Sequence, residues 1–476
     1  MDRPLRVAIV GAGPAGIYAA DILTKAERDF DLSIDLFERL PAPFGLVRYG
    51  VAPDHPRIKG IINALIKVMD RGDIRLFSNV DYGTDITLED FRHLYDAVIF
   101  STGSIEDAPL DIPGIDLPRS YGAARFVNWY DSHPDYPQTW PLDAKRVAVI
   151  GNGNVALDVA RILSKQADDL LSTEIPAHVY EGLKDSAVTD VHVFGRRGPA
   201  QVKFTPLELR ELGHVKDVDI VVYPEDFEFD EGSMQAIGSN NQTKQVTKTL
   251  TDFTLREETG AKRRLHLHFL QAPVAVLGDE TTGVTGLRVE RQQLDGTGGV
   301  NGTGEFIDYD MDAVYRAVGY FGTAVDQLPF DRHKGVVTNV EGRVVQGDSQ
   351  AEAAQAPVEP GLYATGWIKR GPVGLIGHTK GDALETVTHL IEDYHAGSLP
   401  APTHPGEDEI VKLLEAKGVD FTNWEGYHLL DAAERAAGEP EGRERIKLAT
   451  REAMMDAARA AVHAGSGSEV PQGAAD

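Results

Sequence analysis

The ten residues from Val7 to Gly16, V-A-I-V-G-A-G-P-A-G, constrain this chain more than any other stretch. Val7, Ala8, Ile9 and Val10 are an unbroken apolar run, the pattern of a buried parallel strand. Gly11, Gly13 and Gly16 then give G-x-G-x-x-G, and Ile17, Ala19, Ala20, Ile22 and Leu23 continue at helical spacing. In such a unit the first glycine permits the tight turn, the second lets a phosphate approach the backbone, and the third lets helix pack on strand. The unpaired N–H groups at the helix start face an anion. A second apolar run, Ile34 to Phe37, ends in Glu38, which lies 22 residues after Gly16. That is close to the ~20 expected for an acid that binds a ribose. Glycines alone are weak grounds. Strand, glycines, helix, strand and acid in this order specify a dinucleotide site rather than an ordinary Gly-rich turn.

The theme returns at Arg146. Val147 to Ile150 reads as a strand, Gly151-Asn152-Gly153-Asn154-Val155-Ala156 gives G-x-G-x-x-A, and Leu157 to Ala160 continues as an amphipathic helix. Alanine at the third position is within the fingerprint. The closing strand, Val191 to Phe194, ends not in an acid but in Gly195-Arg196-Arg197-Gly198. An acid would repel a ribose 2′-phosphate, whereas two guanidiniums would grip it. The second site therefore reads as one for NADP rather than NAD.

Two strands ending in glycine, Ala97 to Gly103 and Ala313 to Gly319, mark the expected crossings between domains. The expected architecture is α/β, with two Rossmann-like dinucleotide-binding domains, the second inserted in the first. The first would comprise 1–106 and 322–476, the second 107–321. Between Pro41 and Pro56 the chain is too rich in Gly and Pro for a regular element and too apolar for a solvated loop, which suggests an ordered functional loop. Helices are expected near 58–70, 204–212, 377–395, 407–417, 427–437 and 448–463. The polar stretch 230–251 reads as a surface excursion, and 465–476 as a disordered tail.

A net charge of −27 argues against nucleic acid as a partner. The absence of cysteine excludes a disulfide framework, Cys-ligated zinc or iron–sulfur centres on this chain, and a redox dithiol beside a flavin. No metal site is expected. No apolar run approaches the ~18 residues of a spanning helix, and the first strand begins close to Met1. A protein without leader or membrane span, in the cytoplasm, is expected.

Several longer stretches narrow the class. Pro43 to Arg48, Gly50 to Pro56, Gly151 to Arg161, Gly195 to Pro199 and Gly366-Trp367-Ile368-Lys369-Arg370-Gly371-Pro372 resemble NADPH–ferredoxin reductases of the adrenodoxin reductase type, from the first strand to about Gly397. The resemblance implies FAD on the first domain and NADPH on the second. Ala15 would sit on the FAD pyrophosphate and Glu38 on its ribose. Leu46 and Tyr82 would line the FAD site. Trp367 and the run Gly374, Leu375, Ile376 would lie beside the isoalloxazine, and Gly374 also beside the nicotinamide nucleotide. Asn152, Gly153, Asn154, Val155, Arg196, Arg197 and Glu208 would hold NADPH. His55 and Glu211 would pair near the flavin and tune proton flow or partner docking.

The implied reaction takes hydride from NADPH and passes single electrons to a ferredoxin, and through it to a cytochrome P450 system. Lys203, Arg210, Lys369 and Arg370 are candidates for a basic patch that receives an acidic ferredoxin. Two rivals remain open. An electron-input subunit like that of glutamate synthase would carry a Cys-rich iron–sulfur segment, which this sequence lacks. A flavin- and nucleotide-binding sensor without turnover would carry the same motifs.

Overall fold

The computed structural model describes residues 3–374 and 376–464. Leu375 and the tail 465–476 lie outside them. The chain divides into two compact units, one of Met1–Ile105, His133–Asp135 and Phe321–Asp476, the other of Glu106–Ser132 and Tyr136–Tyr320. The three-residue piece His133–Asp135 is held in the first unit by Asp135, which pairs with Arg39 at 2.9 Å and Arg451 at 2.7 Å.

In the first unit the strand Leu5–Val10 is buried at all six positions and lies between the parallel strands Leu32–Glu38 and Ala97–Phe100. The sheet continues to Ile74–Ser78 on one side. On the other it continues to Val358–Ala364, Arg343–Val345 and Asn339–Val340, the last two joined antiparallel. Side chains alternate between two cores. Val7, Ile9, Ile34 and Leu36 face one that includes residues of the helices Pro14–Lys25 and His378–His395. Ala8, Val10, Phe37 and Phe77 face the other, with Phe91, Val325 and Leu414. Burial on both faces is why Val7 to Val10 and Ala97 to Phe100 read as continuous apolar runs. Helices at Glu409–Ala416, Trp424–Gly438 and Arg451–Ala464 complete this unit, with Tyr427, Leu430 and Met454 in the first core and Ile410 in the second.

The second unit holds a six-stranded parallel sheet, in the order Ser120–Gly122, Ala313–Arg316, Arg146–Ile150, Asp190–Phe194, Arg263–His268, Val218–Val222. A three-stranded antiparallel sheet, Gln271–Asp279, Gly283–Leu294 and Val300–Asp310, contributes Val276, Leu287 and Val289 to a core shared with Ala148, Ile150 and Phe194. The stretch 230–251, expected as a surface excursion, is helical. It forms the helices Glu231–Ser239 and Asn241–Thr254, and the second buries Val246, Leu250 and Phe253. The expected helix at 58–70 is two shorter ones, Pro56–Lys59 and Ile62–Met69.

Candidate functional site

The first glycine turn is fixed by its contacts. Gly11 has φ +105°, and a Cβ on it would stand 2.6 Å from the Ser101 carbonyl oxygen. At Gly16 a Cβ would lie 2.0 Å from the Gly11 carbonyl oxygen. Neither position has room for a side chain. Around Gly13 the nearest atom to a Cβ is the Gly45 Cα, at 3.9 Å, so this is the place where a phosphate can come close to the backbone. Pro14 opens the helix Pro14–Lys25 and the first intrahelical donor is Ile17, so the N–H groups of Ala15 and Gly16 are left for an anion.

Glu38 closes the turn. It is buried, and its two oxygens accept from the Ala12 N–H at 3.1 Å and the Leu40 N–H at 3.0 Å. Burial pushes its pKa up, and the two N–H groups pull against that. The loop after it is ordered, as expected for 41–56. Phe44 donates its N–H to the Ala12 carbonyl at 2.8 Å with φ +86°, which lays Gly45 against Gly13 and starts the short helix Leu46–Tyr49. Leu46 is half-buried there. Tyr82 packs on Phe91 and Phe100 and donates its hydroxyl to the Asp326 carbonyl at 2.8 Å.

The strand Val358–Ala364 brings Gly366 onto the same turn. A Cβ on Gly366 would lie 2.6 Å from the Ala15 Cβ, and the Gly366 N–H donates to Asp382. Trp367 follows, half-buried at the start of the helix Trp367–Arg370, and Gly374 and Ile376 lie in the loop before the helix His378–His395. The first unit thus brings together Gly11 to Gly16, Glu38 and Gly366, with Leu46 and Trp367 following directly from elements that touch the turn. Lys369 does not belong to an exposed basic patch. Its side chain is 6% exposed, with the ammonium 2.9 Å from Asp382 and paired to Glu385. Arg370 reaches the same Asp382 at 3.5 Å.

In the second unit Gly151 has φ +144°, and a Cβ there would meet the Ala317 carbonyl oxygen at 2.2 Å. Nothing stands within 4 Å of a Cβ on Gly153, the residue that caps the helix Asn154–Ser164. Asn154 Oδ1 accepts the Thr205 N–H at 2.9 Å, and the Asn152 carbonyl accepts the Lys203 N–H at 2.9 Å. These bonds bring the loop of Glu208 to the turn of Asn152 to Val155. Buried Glu208 accepts the Thr205 hydroxyl at 2.7 Å, and Thr205 caps the helix Pro206–Leu212 by accepting the Glu208 N–H at 3.4 Å. Arg196 is exposed and Arg197 half-buried, and among the described residues neither guanidinium has a hydrogen-bond or ion-pair partner. His55 is buried in the first unit, and Glu211 is half-buried on Pro206–Leu212 in the second.

Both turns thus have cradles that a side chain would fill and free N–H groups at a helix start, which is the donor set a pyrophosphate needs. The comparisons agree with this. The family described as pyridine nucleotide-disulphide oxidoreductase matches residues 5–194. The NADPH-ferredoxin reductase FprA of Mycobacterium tuberculosis is 40% identical over 461 residues, 94% of this chain and 98% of that protein. The chain belongs to the family of NADPH–ferredoxin and adrenodoxin reductases. The mitochondrial NADPH:adrenodoxin oxidoreductase of Arabidopsis thaliana is 39% identical, covering 96% of each chain. The solved structure of Mycobacterium tuberculosis FprA in complex with NADPH superposes with a TM-score of 0.87 at 39% identity, covering 96% of this chain and all of that one. The likeness to this reductase family extends past Gly397, into the C-terminal helices where no motif is legible.

Sequence reasoning missed what holds the loop 41–56 in place. Arg48 is buried and paired with Glu434 at 2.5 Å, while Lys447 donates to the Arg48 carbonyl at 2.6 Å. The Glu434 carboxylate holds the Arg48 guanidinium well above its ordinary pKa, against the opposing effect of burial. The only sequence signal was an arginine inside an apolar loop.

Proposed function

We propose that this chain is an NADPH–ferredoxin reductase, with FAD at the first glycine turn, NADPH at the second, and a ferredoxin as electron acceptor. The observation that carries this reading is the opposite charge that ends the two second strands: Glu38 beside the first turn, Arg196 and Arg197 beside the second. A carboxylate suits ribose hydroxyls, and unpaired guanidiniums suit a 2′-phosphate. FAD, when bound, supplies the chemistry that accepts a hydride and releases electrons singly. The chain's own part is to bind and orient. The N–H groups of Ala15 and Gly16 meet the FAD pyrophosphate, and those of Asn154 to Ala156 meet that of NADPH. Tyr82, Leu46, Trp367, Gly374 and Ile376 line the flavin, with Gly374 also at the nicotinamide; Leu375, expected beside them, lies outside the described residues. We assign the unit containing residues 3–105 to FAD and the unit containing 136–320 to NADP.

The test is NADPH-dependent cytochrome c reduction with and without added ferredoxin. Ferredoxin-dependent turnover is expected. Turnover indifferent to ferredoxin would favour an input subunit for another enzyme, and none at all a sensor. A cytochrome P450 system served through that ferredoxin belongs to the same proposal and is tested by reconstitution. Among the described residues no helix is long and apolar enough to cross a membrane, and a cytoplasmic location is proposed, to be checked by fractionation. The His55–Glu211 pair is carried by the family resemblance. His55→Gln should slow electron delivery to ferredoxin while FAD stays bound, and unchanged ferredoxin kinetics would remove the pair from the reading.

A further inference from the structure

We propose that Gln201, Ser233 and Asp230 are positioning residues that hold the two-arginine turn in the shape that grips a 2′-phosphate, so that the helix Glu231–Ser239 buttresses nucleotide specificity. The proposal rests on the NADPH reading of the second unit. The stretch from Gly195 to Lys203 is pinned near both ends through its backbone. Gly195 donates its N–H to the His268 carbonyl at 2.9 Å, the Leu270 N–H donates to the Arg197 carbonyl at 3.2 Å, and the Lys203 N–H donates to the Asn152 carbonyl at 2.9 Å. Between these pins Gly198 and Gln201 lie against each other. The Gln201 N–H donates to the Gly198 carbonyl at 3.0 Å, and a Cβ on Gly198 would stand 2.9 Å from Gln201 Oε1. The Gln201 side chain thus lies on the residue next to Arg197 and limits where the turn can move.

That side chain is oriented from its far side. Gln201 Nε2 donates to Ser233 Oγ at 2.8 Å, while its buried Oε1 has no partner among the described residues. The bond to Ser233 is therefore what fixes the amide. Ser233 is fully buried, and Asp230 Oδ1 accepts both its hydroxyl proton, at 2.5 Å, and its N–H, at 2.7 Å. A hydroxyl whose one proton is spent can only accept, so Gln201 must present its amide N–H there. The other Asp230 oxygen accepts the Gly298 N–H at 2.9 Å, and the Gly232 N–H donates to the Gly296 carbonyl at 3.1 Å. A Cβ on Gly232 would lie 2.1 Å from the Thr297 carbonyl carbon, so the helix start is seated directly on this hairpin turn. A chain of bonds thus runs from the turn 295–299 through Asp230, Ser233 and Gln201 to Gly198. Two guanidiniums grip one phosphate only when both are held near the productive geometry, and a turn ordered in advance spends less binding free energy on ordering. Among the described residues none of the three side chains bonds to the glycine turn 151–156, so the network bears on the 2′-phosphate and not on the pyrophosphate.

The test uses the FAD-loaded protein and two ligands that differ only in the 2′-phosphate, adenosine 2′,5′-bisphosphate and 5′-AMP, with dissociation constants from calorimetry. Ser233→Ala and Gln201→Met each remove one bond, and Gln201→Met keeps the length of the half-buried side chain. Each should weaken the bisphosphate about threefold to tenfold and leave 5′-AMP unchanged. In turnover the KM for NADPH should rise by the same factor, with kcat unchanged and kcat/KM for NADH unchanged. A helix that had merely lost stability would not divide the two nucleotides in this way. Ser239→Ala removes a hydroxyl bond to the Gln235 carbonyl on the same helix and should change neither ligand. Unchanged bisphosphate affinity in either variant, equal weakening of 5′-AMP, or an equal effect of Ser239→Ala would overturn the buttress and leave the NADPH reading standing. Wild-type protein that binds the two ligands equally would overturn both.

Discussion

Replacing Arg196 or Arg197 by leucine should remove the preference for NADPH without disturbing the fold. Neither guanidinium has a partner among the described residues, so the folded state loses no side-chain hydrogen bond or ion pair. The backbone bond from the Leu270 N–H to the Arg197 carbonyl, at 3.2 Å, does not depend on the side chain. A charge-assisted hydrogen bond to a phosphate contributes about 1.5–3 kcal/mol, and a tenfold change in affinity corresponds to about 1.4 kcal/mol. Exposure trims this, more at Arg196 than at half-buried Arg197. The expected loss in NADPH affinity is roughly tenfold for Arg196→Leu and up to about a hundredfold for Arg197→Leu. NADH lacks the 2′-phosphate and should bind as before. The assay is the ratio of kcat/KM for the two nucleotides, at saturating ferredoxin, with Tm alongside. If both nucleotides weaken equally, or Tm falls, the pair is shaping the domain rather than reading the phosphate, and the NADP assignment loses its main support.

Three further outcomes follow from the packing. Gly16→Ala puts a methyl 2.0 Å from the Gly11 carbonyl oxygen; it should cost about 1–3 kcal/mol or more and lower the flavin-to-protein ratio, whereas full flavin content would show that the turn can open. Glu434→Ala leaves the buried Arg48 guanidinium without its carboxylate and should destabilise the first unit by about 3–5 kcal/mol in urea unfolding; a loss under 1 kcal/mol would mean that water reaches Arg48. Burial pushes the Asp107 carboxyl up from 3.8 to about 6, against the Ala124 N–H and Arg316. The folded chain thus holds a proton between those values that the unfolded chain releases, so this group's stabilising contribution declines as pH rises through the window and is absent above it. Asp107→Asn should flatten that slope and raise stability at pH 7 by roughly 1–2 kcal/mol after discounting for partial exposure, and an unchanged pH profile would refute the assignment.

What the sequence made legible was what the backbone itself requires. Gly11, Gly16 and Gly151 are glycine because a Cβ would collide with a carbonyl oxygen, and such a demand leaves a local mark at fixed spacing. The strands Leu5–Val10 and Ala97–Phe100 of the first unit were legible because both faces are buried. The strand Val300–Asp310 was not, because most of its residues are exposed and its order comes from pairing with Gly283–Leu294. The helix Asn241–Thr254 was hidden by composition, since Val246, Leu250 and Phe253 suffice for its buried stripe amid polar residues. The pair of Arg48 and Glu434 joins positions far apart in the chain, and no local pattern announces it.

The charged residues of the site divide by whether the fold already uses them. Glu38 accepts two backbone N–H groups and still has lone pairs for a ribose, so its role in shaping the turn and its role in binding cannot be separated by mutation. Lys369 is spent on Asp382 and Glu385, so its charge is cancelled before any partner arrives. Arg196 and Arg197 are spent on nothing among the described residues. Charge left uncompensated on a chain that carries a net −27 has a reason to be there. In a protein with so many carboxylates, two adjacent arginines without one are where an anion from outside is expected. On the proposed reading, the specificity of the second site would be a property of two side chains, separable from the glycine turn and from the fold that carries both.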